Sequence, residues 1–416
     1  MRYSQLTLVF VCNLVPLFIG MGLFPLLPLY AAQFGATHTL VGLYYAAVYL
    51  ASMAGVFLAG WLAARLSPRV VFVAASSLGI PALALLGLAT ALWQVVLLTA
   101  TVWLCGSITL TLLSVFIGLI SGDGRRGRAF SLMFLAYPLG AVLGGAAVGQ
   151  LVAGRGYTTM FAALAAIWTI QPLAGLPLLR DRRFAGVATR AAAMGAQAPL
   201  GRSFALLLLS SLLGLAAISV GRLGSALSMQ AVAFAPGAIA STATVSGLAT
   251  IPAALLLGAL SDRIGRGRSL LLCYLLGAGG VGVLLLATQL WHFWLATTLL
   301  FVAWSASRSV ASAMAADVLP ASALARGLPR LGAMDSLASI VGFASAGYAM
   351  DTLGATGLYV IALVLLGAAA QLLRAFRRGL VVAPRPAAPS AQAEAADGDA
   401  HDARNERRPV LHAGGD

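Results

Sequence analysis

Gly258-Ala259-Leu260-Ser261-Asp262-Arg263-Ile264-Gly265-Arg266-Gly267-Arg268 is a short basic turn set between two long apolar runs. A looser copy stands earlier in the chain, Gly60-Trp61-Leu62-Ala63-Ala64-Arg65-Leu66-Ser67-Pro68-Arg69, again between two apolar runs. Gly60 and Gly258 are 198 residues apart, and so are Arg65 and Arg263. The simplest account is a duplicated helical unit in which each copy places this turn between its second and third apolar run.

The surrounding composition fixes the solvent. Of 416 residues, 60% are hydrophobic and 9% charged, with a mean hydropathy of +0.94. A soluble domain carries about 25% charged residues. An ordinary cytosolic enzyme, a disordered chain and a disulfide scaffold are excluded together. A helix crossing a bilayer needs about 20 apolar residues. Twelve such runs are read near 5–30, 39–62, 70–90, 93–119, 128–152, 158–179, 203–228, 239–260, 269–288, 293–317, 328–350 and 355–376. The first is too long for the core of a signal peptide and reads as an uncleaved span. The expected fold is an all-α integral membrane protein of twelve helices. It comprises a six-helix bundle over 1–179, a cytoplasmic loop over 180–202, a second six-helix bundle over 203–376 and a disordered cytoplasmic tail over 377–416.

All 26 basic residues are arginine. Placing the N-terminus in the cytoplasm puts 23 of them on that side and Arg155 alone outside, with Arg222 and Arg308 inside apolar runs. The positive-inside rule then predicts that both termini are cytoplasmic. The net charge of +14 is distributed by membrane topology, and no nucleic-acid partner is expected. Trp93, Trp291, His292 and Trp294 near outer ends read as an interfacial belt. Tyr44, Tyr45 and Tyr49 cover several helix faces, so at least one is expected to face the interior.

The paired turns resemble the loop signature of the major facilitator superfamily of secondary transporters, Gly-x-x-x-Asp-Arg-x-Gly-Arg. The second copy supplies Gly258, Asp262, Arg263, Gly265 and Arg266. The first keeps Gly60, Arg65 and Arg69, but has Ala64 in place of the acid and Ser67-Pro68 in place of Gly-Arg. The resemblance covers about residues 5–376 and implies two six-helix bundles, alternating access and a latch at these cytoplasmic turns. Asp262 can accept hydrogen bonds from helix N-terminal amides or from an arginine, and Gly265 permits a positive φ. The alternative is a basic loop that only sets topology, a reading the missing acid favours in the first half.

The fifth run reads Tyr137-Pro138-Leu139-Gly140-Ala141-Val142-Leu143-Gly144-Gly145-Ala146-Ala147-Val148-Gly149. It resembles a degenerate form of the family's antiporter motif and so favours export. Gly140, Gly144, Gly145 and Gly149 equally serve close helix packing in any membrane protein.

Charges in hydrocarbon are costly and mark candidate sites. Arg222, Arg308 and Asp335 are the main ones here, with Asn13 and Gln171 as weaker polar candidates. By the repeat offset Arg222 corresponds to about the position of Phe24; the resemblance implies that the first helix of each half lines a central cavity, so Arg222 is expected to face it, the alternative being snorkelling to the outer surface. Arg308 and Asp335 lie at similar depths, roughly 10–13 Å from the inner boundary, and can pair. Such a pair is either static or broken by protonation or substrate. No acid occurs in the first six runs, whereas the family resemblance implies one in the first span of many cation exporters; that absence, with the two membrane arginines, tilts the cargo toward an anionic, zwitterionic or neutral molecule.

Other motifs carry no chemistry. Gly277-Ala278-Gly279-Gly280-Val281-Gly282 fits a dinucleotide pattern but sits inside an apolar run. Cys12, Cys105 and Cys273 read as packing residues, His38 and His292 as isolated. With no lysine there is no phosphate-binding Gly-Lys. A membrane enzyme or receptor is therefore the remote alternative, and neither cofactor nor metal is expected. The expectation is a monomeric, proton-coupled efflux transporter for a small molecule in the lipid bilayer of a bacterial-type inner membrane. Its rival is an importer or uniporter of an organic anion or neutral metabolite.

Overall fold

A computed structural model describes residues 3–120, 126–179, 202–319 and 321–382, and every described element is helical. The first half contains α1 (Tyr3–Leu23), α2 (Leu27–Ala32), α3 (His38–Arg65), α4 (Pro68–Leu86), α5 (Leu92–Ile120), α6 (Arg126–Trp168) and α7 (Ile170–Leu179). The second contains α8 (Arg202–Ala231), α9 (Pro236–Ile264), α10 (Arg266–Leu285), α11 (Leu290–Val318) and α12 (Ala321–Val382). The 180–201 part of the expected central loop and the tail beyond 382 lie outside the described residues.

Nine stretches among the described residues are long and apolar enough to cross a bilayer. Two of them, Leu132–Leu176 and Arg330–Arg378, are 45 and 49 residues long, more than twice the roughly 20 that one crossing takes. Each is broken by a glycine in the left-handed region, Gly156 at φ 76° and Gly354 at φ 70°. These breaks are 198 residues apart, the offset of the two basic turns. The same offset joins Gly35 at φ 74° to Ala233 at φ 60°. The duplication therefore extends from sequence to backbone conformation.

The two turns solve one geometric problem in different ways. Gly265, at φ 86° and ψ 145°, ends α9 and begins α10 within a single residue, a conformation that a side chain would strain. In the first copy Leu66 and Ser67 are both extended. The Ser67 side chain accepts from the Val70 amide at 3.3 Å, and Pro68 occupies the first turn of α4, where an amide proton is not needed. Ser67-Pro68 thus replaces Gly-Arg without loss of the turn.

Helix α6 packs against α1 of its own half and α9 of the other, and α10 packs against α11. Aromatic side chains bury their bodies and satisfy their polar tips: Trp168 Nε1 donates to the Ser76 carbonyl at 2.8 Å and Tyr30 to that of Leu86 at 2.6 Å. Tyr44 and Tyr45 are buried and Tyr49 half-buried, so all three point inward, whereas Trp93 and Trp291 are exposed. The three cysteines are buried and unbridged. Gly280 approaches the backbone of Ala296, and Gly277 the side chain of Ile218. The last helix runs to Val382 instead of ending at 376, through Gly379, and the first proline beyond it is Pro384.

Candidate functional site

A cavity of about 430 Å³ lies between the two halves. Its wall includes Tyr49 to Phe57 on α3 and Val102 to Ser114 on α5. Both stretches run from mid-helix toward the face that carries Arg65 and the α9–α10 turn. The cavity therefore extends toward the arginine-rich face.

Its charged cluster is built by α11 and α12. Arg308 Nε donates to Asp335 Oδ2 at 2.9 Å, with side-chain exposures of 35% and 19%. These two candidates pair. The Arg308 guanidinium lies 4.8 Å from the Trp304 ring centroid and 5.9 Å from that of Tyr137. Arg222 on α8 stands 4.3 Å from the ring of Phe24 and 4.8 Å from that of Trp304. At 8% exposure it does not snorkel to a surface. Phe24 and Trp304 line the cavity, so Arg222 sits one side chain behind the wall. The Tyr49 hydroxyl interacts electrostatically with Arg222, Arg308 and Asp335, and that of Tyr137 with Arg308. Arg222 Nη1 and Asp335 Oδ1 are buried without a hydrogen-bond partner.

Repeat-related positions meet here. Phe24 and Arg222 are equivalent by the 198 offset and stack on each other. Tyr137 and Asp335 are equivalent as well, and both engage Arg308.

Asn13 and Gln171 lie elsewhere, away from the cavity wall. Asn13 Nδ2 donates to the Met133 carbonyl at 3.1 Å, and Gln171 Nε2 donates to the Cys12 carbonyl at 3.1 Å and to Thr109 at 3.0 Å. Both bind α1 to neighbouring helices within the first half.

The face opposite the arginine-rich turns is closed by two seams between the halves. On the first, the Cβ that Gly42 lacks would lie 2.6 Å from the Phe343 carbonyl oxygen, and one at Gly347 would overlap the His38 carbonyl. The seam ends in a clasp. Asp351 accepts from the Thr39 amide at 2.7 Å and the Thr39 hydroxyl at 2.6 Å, and pairs with His38 Nδ1 at 2.7 Å. His38 is thus not isolated, a correction to its reading from sequence, where Asp351 is too distant to suggest a partner. On the second seam, Gly145 and Gly149 approach α9 at Ala240 and Thr244, while Gly247 approaches Pro138 and Val142. Gly140 and Gly144 face the other way, onto Leu17, Phe18 and Gly22 of α1.

At the arginine-rich face, Arg266 pairs with Asp317 at 3.0 Å and donates to the Ala313 carbonyl. Arg263 is exposed, and Arg65 is exposed with its guanidinium 4.1 Å from the Trp61 ring. Gly60 has open space where a Cβ would stand. Arg69 is half-buried and engaged. Helix α9 runs through Gly258 and Asp262, but their side-chain positions lie outside the described residues.

Two copies of one helical unit around a central cavity, open toward one face and sealed at the other, define a membrane transporter. The family model described as Major Facilitator Superfamily matches residues 9–221 and again 204–412, so the chain belongs to the major facilitator superfamily. It is a transporter and not an enzyme. No curated protein matches it. Among solved structures it is similar to that of the nucleoside transporter NupG (TM-score 0.71, 17% identity), covering 91% of this chain and 99% of that one. It is also similar to a POT family transporter in complex with a thioalcohol conjugated peptide (TM-score 0.68, 14% identity, 89% and 95% covered). A POT family transporter in complex with 5-aminolevulinic acid gives a TM-score of 0.71 at 13% identity, with 89% and 95% covered. At these identities the likeness concerns the fold.

Proposed function

We propose that the chain crosses the plasma membrane of a bacterial-type cell twelve times, with both termini in the cytoplasm, and carries a small molecule by proton-coupled alternating access. The twelve crossings follow if 132–176 and 330–378 each fold back at their glycine break and α1 with α2 makes one crossing. The arginine-rich face is then cytoplasmic, and the structure is the inward-open state. The observation that carries this reading is the cavity holding the Arg308–Asp335 pair, sealed on the far face by seams between the two halves. A half-buried ion pair within the membrane, facing a cavity open on one side at a time, supports proton coupling. Both seams close within one chain, which fits a monomer.

The direction expected from the fifth run is efflux. A second reading, uptake of an organic anion, has its own support. Gly140, Gly144, Gly145 and Gly149 are accounted for by packing against α1 and α9, a use independent of direction. The cluster holds two arginines against one acid. A transport screen in inverted vesicles, with and without an imposed proton gradient, tests the proposal. Gradient-dependent movement of a small molecule supports it. Movement indifferent to the gradient overturns the coupling and leaves a uniporter.

A further inference from the structure

The two seams between the halves are related by the 198-residue offset, yet they differ below the far face. On one, Gly145 and Gly247 let α6 and α9 come together, and a Cβ at Gly247 would lie 2.6 Å from the Pro138 carbonyl oxygen. On the other, the equivalent positions are Phe343 on α12 and Tyr49 on α3, whose ring centroids are 4.9 Å apart. Glycines let backbones touch, whereas rings hold them apart. Ser336, the counterpart of Pro138, lines the cavity together with Tyr49. The cavity therefore lies against the α3–α12 seam, and among the described residues its wall includes none from α9.

That space reaches the side of the protein. Leu43, Leu50 and Phe57 recur at seven-residue spacing on α3 and are exposed at 52%, 53% and 64%, so they form one lipid-facing stripe. Leu43 adjoins Gly42, where the seam is closed. Phe57 belongs to the same stripe and also lines the cavity. On α12, Ala333 lines the cavity and stands one turn from Leu337 and two from Val341, both exposed. The cavity thus opens sideways through a slit between α3 and α12. Gly332, at the edge of the slit, has open space where a Cβ would stand. Phe57 precedes Arg65 by about 12 Å of helix, which puts the slit in the hydrocarbon of the arginine-rich half. Exposed Trp61, beneath the Arg65 guanidinium, marks the interface beyond it.

We propose that the α3–α12 slit is a side entrance from the bilayer, and that the cavity takes a single-chain amphiphile with a hydroxyl-bearing head, its chain lying out through the slit. This rests on the transport reading above for the cavity itself. The chain meets Met53, Val56 and Phe57, all apolar. The head meets a stripe of hydroxyls on the inner wall. Ser52 and Ser107 share a hydrogen bond at 2.6 Å, Thr111 donates to the Ser107 carbonyl at 2.7 Å, and Ser114 donates to that of Leu110 at 2.9 Å. A hydroxyl has one proton and two lone pairs. With their protons engaged inside the protein, these oxygens keep lone pairs for the hydroxyl donors of a cargo. A space of about 430 Å³ is of the size that holds a drug-sized ligand, which admits a small head and part of one chain.

The test uses the full chain in phosphatidylcholine vesicles, with a small fluorophore on Ser336→Cys at the slit. Three quenchers are compared: aqueous iodide, phosphatidylcholine brominated in mid-chain, and monomyristoylglycerol brominated in its chain. Both lipid quenchers should reach the label, as iodide does. At equal bromine content the monoglyceride should quench about tenfold more effectively than the phosphatidylcholine, the preference expected of its hydrogen-bonded head. Replacing Ser52 and Ser114 together by alanine should remove that preference and leave phosphatidylcholine quenching unchanged. Gly332→Phe, which fills open space, should weaken both lipid quenchers and spare iodide. The three quenchers on the labelled but otherwise unaltered chain decide the matter even if a further variant fails to fold. Quenching by iodide alone would show a chamber closed to the bilayer and overturn the inference. Equal quenching by the two lipids would show a slit that holds bulk lipid only, and would overturn it too. Alternation is read separately, from label distances across the far seam without amphiphile. A far seam that opens beside a label reached by iodide alone removes this inference and keeps the transport reading, whereas a far seam that never opens removes the transport reading on which it rests.

Discussion

Neutralising the Arg308–Asp335 pair one side at a time, and then both together, separates a structural pair from a working one. Removing one partner of a fully buried ion pair strands the other at about 3–5 kcal/mol. Here Arg308 keeps 35% of its side chain exposed and Asp335 19%, so solvent screens the pair and about 1–3 kcal/mol is the appropriate scale. The two losses should be unequal. Arg308→Gln leaves Asp335 with Oδ1 already unpartnered and, among the described residues, no other cation in a salt bridge with it. Asp335→Asn leaves Arg308 over the rings of Trp304 and Tyr137, which still stabilise a cation. Arg308→Gln should therefore cost about 2 kcal/mol and Asp335→Asn about 1. The double variant should cost less than their sum by at least about 1 kcal/mol. The assay is equilibrium unfolding of the purified protein in mild detergent. Proton movement supplies the second readout: a structural pair predicts that the double variant still couples, whereas a working pair predicts a folded protein without proton-driven accumulation. Additive losses within about 0.5 kcal/mol would show that the residues do not interact, and the reasoning would fail.

Three further outcomes are expected. Gly347→Ala places a Cβ against backbone on the facing helix, at an overpacking cost of about 1–3 kcal/mol confined to the sealed state, so labels at Leu40 and Leu353 should move apart. Gly144→Ala clashes within one half and should lower the melting temperature without changing that distance, while Gly60→Ala, with open space around it, should do neither. The clasp has a pH dependence. Burial pushes the Asp351 carboxyl up, but hydrogen bonds from the Thr39 hydroxyl and amide and from His38 outweigh it and hold the pKa at about 2, below the usual 3.8. A lowered folded-state pKa stabilises above the unfolded value and is lost as pH falls through the folded one. The label distance should thus stay constant from pH 7 to pH 5 and lengthen from near pH 4 toward 2, and Asp351→Asn should lengthen it at pH 7. Finally, Asp262→Asn should impair transport more than Arg65→Ala, because only the second turn carries the acid. Harmless Asp262→Asn with a damaging Arg65→Ala would contradict that asymmetry.

Apolar run lengths and the two basic turns made the all-helical membrane fold legible, because a bilayer leaves the chain few alternatives. The 198-residue offset reached further than the turns, since it also relates the left-handed positions Gly156 and Gly354. Arg222, Arg308 and Asp335 stood out in sequence because charge in hydrocarbon is rare. Trp304 and Tyr137 did not, because an aromatic residue in an apolar run looks like any packing residue, although the offset from Asp335 leads to Tyr137. The clasp was illegible: His38 and Asp351 are 313 residues apart and each sits at an ordinary helix end. Asn13 and Gln171 show the opposite failure. A polar side chain in a span marks either a cavity or a carbonyl it must satisfy, and sequence cannot tell which.

The central claim, that one cavity is exposed to the two faces in turn, is tested most directly by two spin-label distances in the lipid-reconstituted protein, substituted only at the label positions. One pair, at Leu40 and Leu353, spans the far seam, and the other, at Arg65 and Arg263, spans the arginine-rich face. The account predicts two populations whose distances are anticorrelated, the far pair short when the arginine-rich pair is long, with Gly347→Ala shifting weight toward the opposite arrangement. Both distances lengthening together, or neither responding to Gly347→Ala, would contradict it.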